Sequence, residues 1–390
     1  MRILLICEAV FPENKGGLER WMVWLANNLQ RRGNIVYYFN ASGVNEVREG
    51  VTYKSITKKS WSYTKKNNRS ILQSIDFSRK LFMQLKKSDY EVIYSAQAPL
   101  ISLLFIQMAN LRPNKSLLII DWLEIWSYSY WREYLGNIFG LLGYLIQTLA
   151  LRVGEIRVCY TDRVYIKLKS ANKRSQVYKL PGICMENNPE FPLSFEHKNN
   201  IIFLSRFVKD KNPLLAIDAV VEYQKLGWNG VFFIIGSGPM ESKIREYVNR
   251  HGATNFIKIL VSIPDSEVVA IMKSSFVLLH TSVREGFGLS MIEAACQGVP
   301  TILINCPENA SVDLAIVEEL VSQTQTVSEL VGKLQRAYCN QRIYYEKLKT
   351  WVETKYPQML GSKSLNSLEN IIKSNYDNAY SCRKTRNPYE

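Results

Sequence analysis

Short apolar runs alternate along the chain with longer segments whose apolar residues recur every three or four positions, and the alternation occurs twice. RILLICEA, residues 2–9, predicts a buried strand, and GLERWMVWLANNLQRRG, residues 17–33, a helix ended by Gly33. NIVYYFN, EVIYSA, a helix near 99–111 and SLLIIDW follow, then IRVCYTD and QVYKL as the last strands of this half. The apolar segment from Trp131 to Val153 reads as a core helix between parallel strands, with a membrane-interface position as the alternative. Residues 182–199 hold two prolines and little periodicity, and they predict the linker. Beyond them NIIFLS, GVFFIIG, FIKILV, FVLLH and VPTILI alternate with helices starting near Pro213, Met240, Asp265 and Gly288. Buried apolar strands separated by helices imply parallel sheets covered on both faces.

The expected fold class is therefore α/β, with two doubly wound Rossmann-like domains. The predicted organisation is residues 1–185 as the first domain and 195–355 as the second. Residues 356–375 carry one more amphipathic helix, SLNSLENIIK, and 376–390 read as a loose tail. Doubly wound sheets bind ligands outside the carboxyl ends of their strands. Candidate chemistry is judged by whether it falls there.

Composition narrows the field. With 47% hydrophobic and 22% charged residues the chain is globular. No run of 18 apolar residues predicts a transmembrane helix, and MRILLICEAVFPENKGG reads as a first strand rather than a signal peptide. Seven scattered cysteines without a CxxC pair suit reduced thiols in a cytoplasmic setting. The net charge of +14 favours anionic partners. Residues 51–70, VTYKSITKKSWSYTKKNNRS, hold six Lys and Arg and no acid, interleaved with Tyr53, Trp61 and Tyr63. Contact with an anionic membrane and an ordinary solvated loop both fit this stretch. Nucleic acid is not expected, because no recognised binding pattern accompanies the charge.

The densest chemistry is REGFGLSMIEAACQGVP, residues 284–300, after the apolar run FVLLH. Gly286 and Gly288 allow close backbone approach, and the free amides of the helix beginning near Leu289 form an anion site. Glu285 and Glu293 flank that turn and suit hydroxyls on either side of a diphosphate, as in a nucleotide sugar. Acids placed to suit the helix dipole are the plainer explanation. In FLSRFVKDKNP, Arg206 and Lys211 follow a strand and can neutralise a diphosphate leaving group. GSGP, residues 236–239, lacks the later glycine and acidic ribose ligand of a dinucleotide loop, so NAD binding is a poor reading. Near the start, FPENKGGLERW places Gly16 and Gly17 between a strand and a helix, consistent with a phosphate or acceptor contact.

In these residues the chain resembles the retaining GT-B glycosyltransferases of glycosyltransferase family 4. EGFGLSMIE resembles that family's E-x7-E motif, SRFVKDKN its Arg–Lys segment, KGGLER its N-terminal glycine loop, and PENASVDL its last donor-domain motif. The resemblance implies a GT-B fold, two Rossmann-like domains facing across a cleft, and a C-terminal helix crossing back to the first. It implies a nucleotide-diphosphate sugar donor and transfer with retention; the basic stretch 51–70 and the apolar segment 131–153 place the expected transfer at the cytoplasmic membrane face. It places Glu285 on the donor sugar and Glu293 on the ribose, with Arg206 and Lys211 stabilising the departing diphosphate. Gly286, Phe287, Gly288 and Leu289 complete the donor loop, and Gly16 and Gly17 line the phosphate side. No metal and no cofactor is called for, in keeping with the absence of a DxD triplet. The acceptor is expected to be a glycan or polyprenyl-linked saccharide. IIDWLEIWSYSYW resembles a family segment in which Leu123 stands where a histidine is common, and Asp121 or Glu124 is then expected to take over polar contacts on the acceptor or sugar side. That substitution keeps a catalytically silent nucleotide-sugar-binding partner as the alternative. A nucleotide-sugar epimerase is disfavoured for want of further acid–base groups.

Overall fold

The structure, a computed structural model, describes residues 1–14, 16–57, 71–111, 115–171, 176–185, 189 and 191–386. It divides into two compact units, residues 1–185 with 359–390, and residues 186–358.

The first unit is built on an eight-stranded sheet. Its strands are β1 (Arg2–Ile6), β2 (Ile35–Asn40), β3 (Glu46–Arg48), β4 (Val51–Ser55), β5 (Val92–Ala96), β6 (Leu117–Asp121), β7 (Ile156–Cys159) and β8 (Gln176–Lys179). They lie in the order β3-β4-β2-β1-β5-β6-β7-β8, all pairs parallel except β3 with β4. The chain enters mid-sheet at β1, works outward through β2 to β4, and crosses back to β5. The carboxyl ends of β1 and β5 therefore form the switch point. The helices are α1 (Gly17–Arg31), α2 (Ile71–Leu85), α3 (Leu100–Ala109), α4 (Tyr128–Leu135), α5 (Asn137–Ala150) and α6 (Asp162–Ala171). Trp21, Met22, Leu25, Ala26 and Leu29 line the buried stripe of α1, and Gly33, with φ +85°, ends that region as its sequence predicts.

The second unit repeats the scheme with six strands in the main sheet. These are β9 (Asn200–Leu204), β10 (Phe232–Ile235), β11 (Ile257–Leu260), β12 (Ser275–His280), β14 (Thr301–Ile304) and β16 (Val321–Ser322). Between them lie the two-residue strands β13 (Arg284–Glu285) and β15 (Glu308–Asn309), which pair with each other. The main order is β11-β10-β9-β12-β14-β16, which puts the switch point between β9 and β12. Helices α7 (Pro213–Gln224), α8 (Glu241–Arg250), α9 (Asp265–Lys273), α10 (Leu289–Cys296), α11 (Val327–Cys339) and α12 (Gln341–Thr354) connect the strands or close the unit. β12 is buried along its whole length, which explains why FVLLH reads as an unbroken apolar run.

The last helix, α13 (Gly361–Arg386), belongs to the first unit. It starts at Gly361, where a Cβ would come within 2.8 Å of the Trp21 ring. Ser364 is fully buried; its hydroxyl receives the Gly182 N–H at 3.0 Å and donates to the Gly182 carbonyl at 2.5 Å. Arg32 pairs with Glu369 at 2.5 Å.

Three expectations need correction. Residues 376–390 read as a loose tail, yet the helix continues through Arg386. No glycine or proline interrupts it between Ser362 and Arg386, and residues 387–390 lie outside the described residues. The stretch 51–70 is not all loop, because Val51–Ser55 forms β4 with Val51 and Tyr53 buried; residues 58–70, with most of the cations and with Trp61 and Tyr63, lie outside the described residues. Finally, the segment Trp131–Val153 is not one core helix. Gly136, at φ +83°, separates α4 from α5, and much of α5 is exposed.

Replacing Ser364 with alanine would leave the buried N–H and carbonyl of Gly182 without this partner. The expected loss is about 1–3 kcal/mol of unfolding free energy in urea titration. A midpoint unchanged from wild type would show that Ser364 does not hold α13 in place.

Candidate functional site

The site grows from the two strands at the switch point of the second unit. After β9 the chain turns at Ser205 and Arg206, buries Phe207 and passes through a 3-10 turn at Lys209–Lys211. The Phe207 N–H donates to the Ser237 carbonyl at 2.8 Å, and the Met240 N–H donates to the Phe207 carbonyl at 3.0 Å. A Cβ at Gly236 would stand 1.9 Å from the Ser205 carbonyl oxygen, and one at Gly238 2.7 Å from that of Phe207. The glycines of GSGP are thus required by close packing under the Arg206 loop. Arg206 itself is exposed at the surface. Asn212, in the left-handed region at φ +48°, turns the chain into α7, whose first residue is Pro213.

From β12 the chain passes through His280, Thr281 and Ser282 into Arg284 and Glu285. The Lys211 ammonium forms an ion pair with the Glu285 carboxylate and lies 3.4 Å from the Arg284 carbonyl, with side chains only 11% and 21% exposed. His280 Nε2 stands 3.5 Å from the same carboxylate. Alongside, Arg284 pairs with Asp210 at 3.0 Å, and the Val283 N–H donates to the Asp210 carbonyl at 2.9 Å. Two ion pairs therefore join the same two loops, one from each of the adjacent dipeptides Asp210-Lys211 and Arg284-Glu285. The Thr281 hydroxyl adds a third tie, 3.0 and 2.9 Å from the Lys211 and Asn212 carbonyls.

Burial would raise the Glu285 carboxyl, but the Lys211 ammonium and the His280 ring outweigh it and hold the group well below the usual carboxylate range. Glu285 is ionised at neutral pH and accepts hydrogen bonds; it does not donate a proton.

A third loop, after β14, fixes the glycine turn. The Asn309 side chain donates to the carbonyls of Ser282 at 3.1 Å and Ile304 at 2.9 Å, and accepts from the Ser311 N–H and hydroxyl. Gly288 has φ +85°, and a Cβ there would meet Ser311 Cβ at 2.7 Å. Phe287 is buried, while Gly286 and Leu289 are half-buried. Gly288 leads directly into α10 with no side-chain cap. The first amides of that helix lie between Glu285 on the loop and Glu293, exposed on the helix. The structure thus gathers Glu285, Lys211, Gly286, Phe287, Gly288 and Leu289 around one turn, with Arg206 on the adjoining loop and Glu293 on α10.

The remaining predicted residues sit in the first unit. Gly16 precedes α1 with extended backbone, and a Cβ there would meet only the Glu19 carboxylate, the end of a flexible side chain. Gly17 is the first residue of α1. Glu124 is half-buried; its N–H and that of Leu123 both donate to the Gln97 side-chain oxygen, at 3.0 and 2.7 Å. Asp121 departs from expectation. It is 1% exposed at the end of β6 and accepts the hydroxyls of Tyr94 at 2.7 Å and Tyr160 at 3.0 Å. Burial pushes its carboxyl up to about 6 against the pull of those two hydroxyls. As placed, it braces the core and is not open to a ligand.

Asp210, Arg284, Asn309 and Ser311 carry the loop geometry and were not singled out by sequence reasoning as site residues. Asn309 and Ser311 lie within PENASVDL, quoted above as a motif, while the complementary order of Asp210-Lys211 and Arg284-Glu285 gains meaning only when the loops are known to adjoin. Among the described residues, no group of three His, Cys, Asp or Glu is placed to hold a metal ion.

Residues 185–356, nearly the whole second unit, match the family model of glycosyl transferases group 1. Over 134 residues, 34% of its length, the chain is 27% identical to 2-deoxystreptamine glucosyltransferase of Streptomyces kanamyceticus. It spans 35% of that relative's length, and 38% and 21% of the length of two other curated relatives it matches. Among solved structures it is similar to a sucrose-phosphate synthase from Thermosynechococcus elongatus, with a TM-score of 0.76 and 15% identity over 96% of this chain and 99% of the other. It is also similar to Anabaena HepE, solved with UDP and glucose, with a TM-score of 0.69 and 14% identity over 96% of this chain and all of the other. These likenesses establish the fold as the expected GT-B class of α/β protein.

Substituting Glu285 with glutamine leaves Lys211 buried without a counter-charge and should cost roughly 3 kcal/mol near neutral pH. The lowered carboxyl contributes stability above its unfolded value of about 4.3, and that contribution is lost as pH falls through the folded value. The wild-type advantage in thermal unfolding should therefore be constant from pH 8 to about 5 and shrink towards pH 3. A pH-independent difference would contradict the ion pair.

Proposed function

We propose that this chain is a glycosyltransferase that takes a sugar from a nucleotide-diphosphate donor held by the second unit. The observation that carries the proposal is the Lys211–Glu285–His280 cluster at the β9/β12 switch point, beside the open amides of α10. The carboxylate accepts a hydroxyl of the donor sugar, Glu293 accepts the ribose hydroxyls, and the diphosphate lies at the helix amides between them. The glycine turn from Gly286 to Leu289 lets the backbone approach that diphosphate. A lysine ammonium has three donors; Lys211 commits two to Glu285 and the Arg284 carbonyl and keeps one for a phosphate oxygen. Arg206, exposed on the same strand-end loop, brings a guanidinium to the leaving group.

In this reading the sugar is transferred with retention, and the same charges support the step. The bond from the anomeric carbon to the phosphate oxygen breaks, and its electron pair leaves with the diphosphate. Arg206 and Lys211 stabilise that developing charge, while ionised Glu285 faces the positive charge that grows on the sugar. The acceptor oxygen bonds to the anomeric carbon on the face being vacated and passes its proton to the departing phosphate. This route asks for no metal and no histidine base, and Leu123 is compatible with it. Residues 1–185 take the acceptor, a glycan or polyprenyl-linked saccharide at the cytoplasmic membrane face, with Glu124 on the acceptor or sugar side and Gly16 and Gly17 on the phosphate side of the donor. Residues 195–355 supply the donor site, and α13 belongs again to the first unit. HepE is described with UDP and glucose, which puts UDP-sugars first among the donors to be tried.

The test is thermal stability with UDP-, GDP- and ADP-sugars, with NAD as control, in wild type and Glu293→Ala. At 100 times its dissociation constant the donor should add about 2.7 kcal/mol to the wild type and little to the variant. No shift with any nucleotide sugar would overturn the donor site. Released nucleoside diphosphate then separates an enzyme from a silent binding partner. Lys211→Ala should lower kcat by about 10²–10³, whereas wild-type binding without turnover on any acceptor tried would favour the silent partner.

A further inference from the structure

Helix α5 is amphipathic in the reverse of the usual sense. Its buried positions are Gly140, Gly143, Gln147 and Ala150, all small or polar. The glycines let α5 press against α4, since a Cβ at Gly143 would stand 2.5 Å from the Trp131 ring. Gln147 is turned inward, where its oxygen accepts from the Trp126 N–H at 3.0 Å and its amide donates to the Trp126 carbonyl at 2.7 Å. The large apolar side chains are left outside. Ile138, Phe139, Leu141, Leu142, Leu145 and Leu149 are each 46–80% exposed. Ile138, Leu142, Leu145 and Leu149 follow the i, i+4, i+7, i+11 spacing of one helical face. Scattered exposed leucines need no explanation, but a whole face of them marks an interaction surface.

The charge of the first half of the chain points to an anionic partner. Residues 1–185 contain 27 Lys and Arg against 13 Asp and Glu, whereas residues 186–358 contain 17 against 19. No acid occurs between Glu133 and Glu155, and the exposed Arg132 and Arg152 bracket α5. Tyr128, 40% exposed, packs on Tyr144 at 5.5 Å with the Arg132 guanidinium over its ring. Amphipathic tyrosines and arginines around an aliphatic face suit the boundary between headgroups and acyl chains. Fourteen residues span about 21 Å, less than the roughly 30 Å hydrocarbon core. None of the described helices is long and apolar enough to cross a membrane.

We propose that the outer face of α5 is a docking surface for an anionic lipid bilayer, with the helix lying in the plane of the interface. The surface deepens the reading that transfer takes place at a membrane face, and it can be measured with neither donor nor acceptor present, so its failure leaves the donor site standing.

The test is flotation of the full chain with vesicles of phosphatidylcholine alone or with 30% phosphatidylglycerol. The wild type should float with the anionic vesicles, less at high salt, and Leu142→Gln/Leu145→Gln/Leu149→Gln should bind at least tenfold more weakly with an unchanged Tm. A second measurement does not depend on that variant. With Cys339 and Cys382 replaced by serine, an environment-sensitive fluorophore on Leu145→Cys should shift to the blue on anionic vesicles. Equal flotation of wild type and variant, no flotation of either, or an unshifted label would overturn the proposal. So would a wild-type dimer that the triple variant converts to monomer, because the face would then belong to a second copy of the chain.

Discussion

A lysine ammonium and a glutamate carboxylate withdrawn from water must find each other, and the second unit is arranged so that Lys211 and Glu285 do. They come from loops 74 residues apart in sequence, brought together because β9 and β12 are neighbours where the strand order reverses. Breaking such a pair costs several kcal/mol, since the survivor stays buried and uncompensated. Most other features of the site maintain that meeting. The Asp210–Arg284 pair ties the same loops a second time, Thr281 a third, and Asn309 locks the following loop beneath them.

The two cations differ in their exposure. Lys211 is buried and committed to holding Glu285, so its charge is oriented before any ligand arrives. Arg206 is exposed on a loop whose backbone is clamped by the Gly236–Gly238 turn. In the proposed donor site both cations serve the diphosphate, Arg206 from the surface and Lys211 through the donor it keeps beside Glu285. Their spacing of five residues allows both, because the short 3-10 turn between them carries the chain from surface to interior.

In the first unit the equivalent strand ends are used differently. Asp121 ends a central strand, yet Tyr94 and Tyr160 close over it. The opposite inversion occurs in α5, whose apolar face lies outside although the segment reads first as a core helix. A helix that is apolar on all sides is ordinarily buried. Here the covering layer is absent among the described residues, and the inward face has been given to glycines and one glutamine that satisfies the Trp126 backbone.

The alternation of buried strands and helices, the two doubly wound halves, the end of α1 at Gly33 and the glutamate–glycine turn were all legible in the sequence, because each is a local property of neighbouring residues. Periodicity and turn chemistry act over a few residues, so they survive without the rest of the fold. Tertiary structure alone decided that GSGP packs under Arg206, that Asp210 answers Arg284, that Asp121 is enclosed, and that α5 shows its leucines outward. Each of these depends on which loops the strand order makes adjacent, or on whether another layer covers a helix. Strand order and layer placement are properties of the whole chain, set by pairings between residues far apart in sequence.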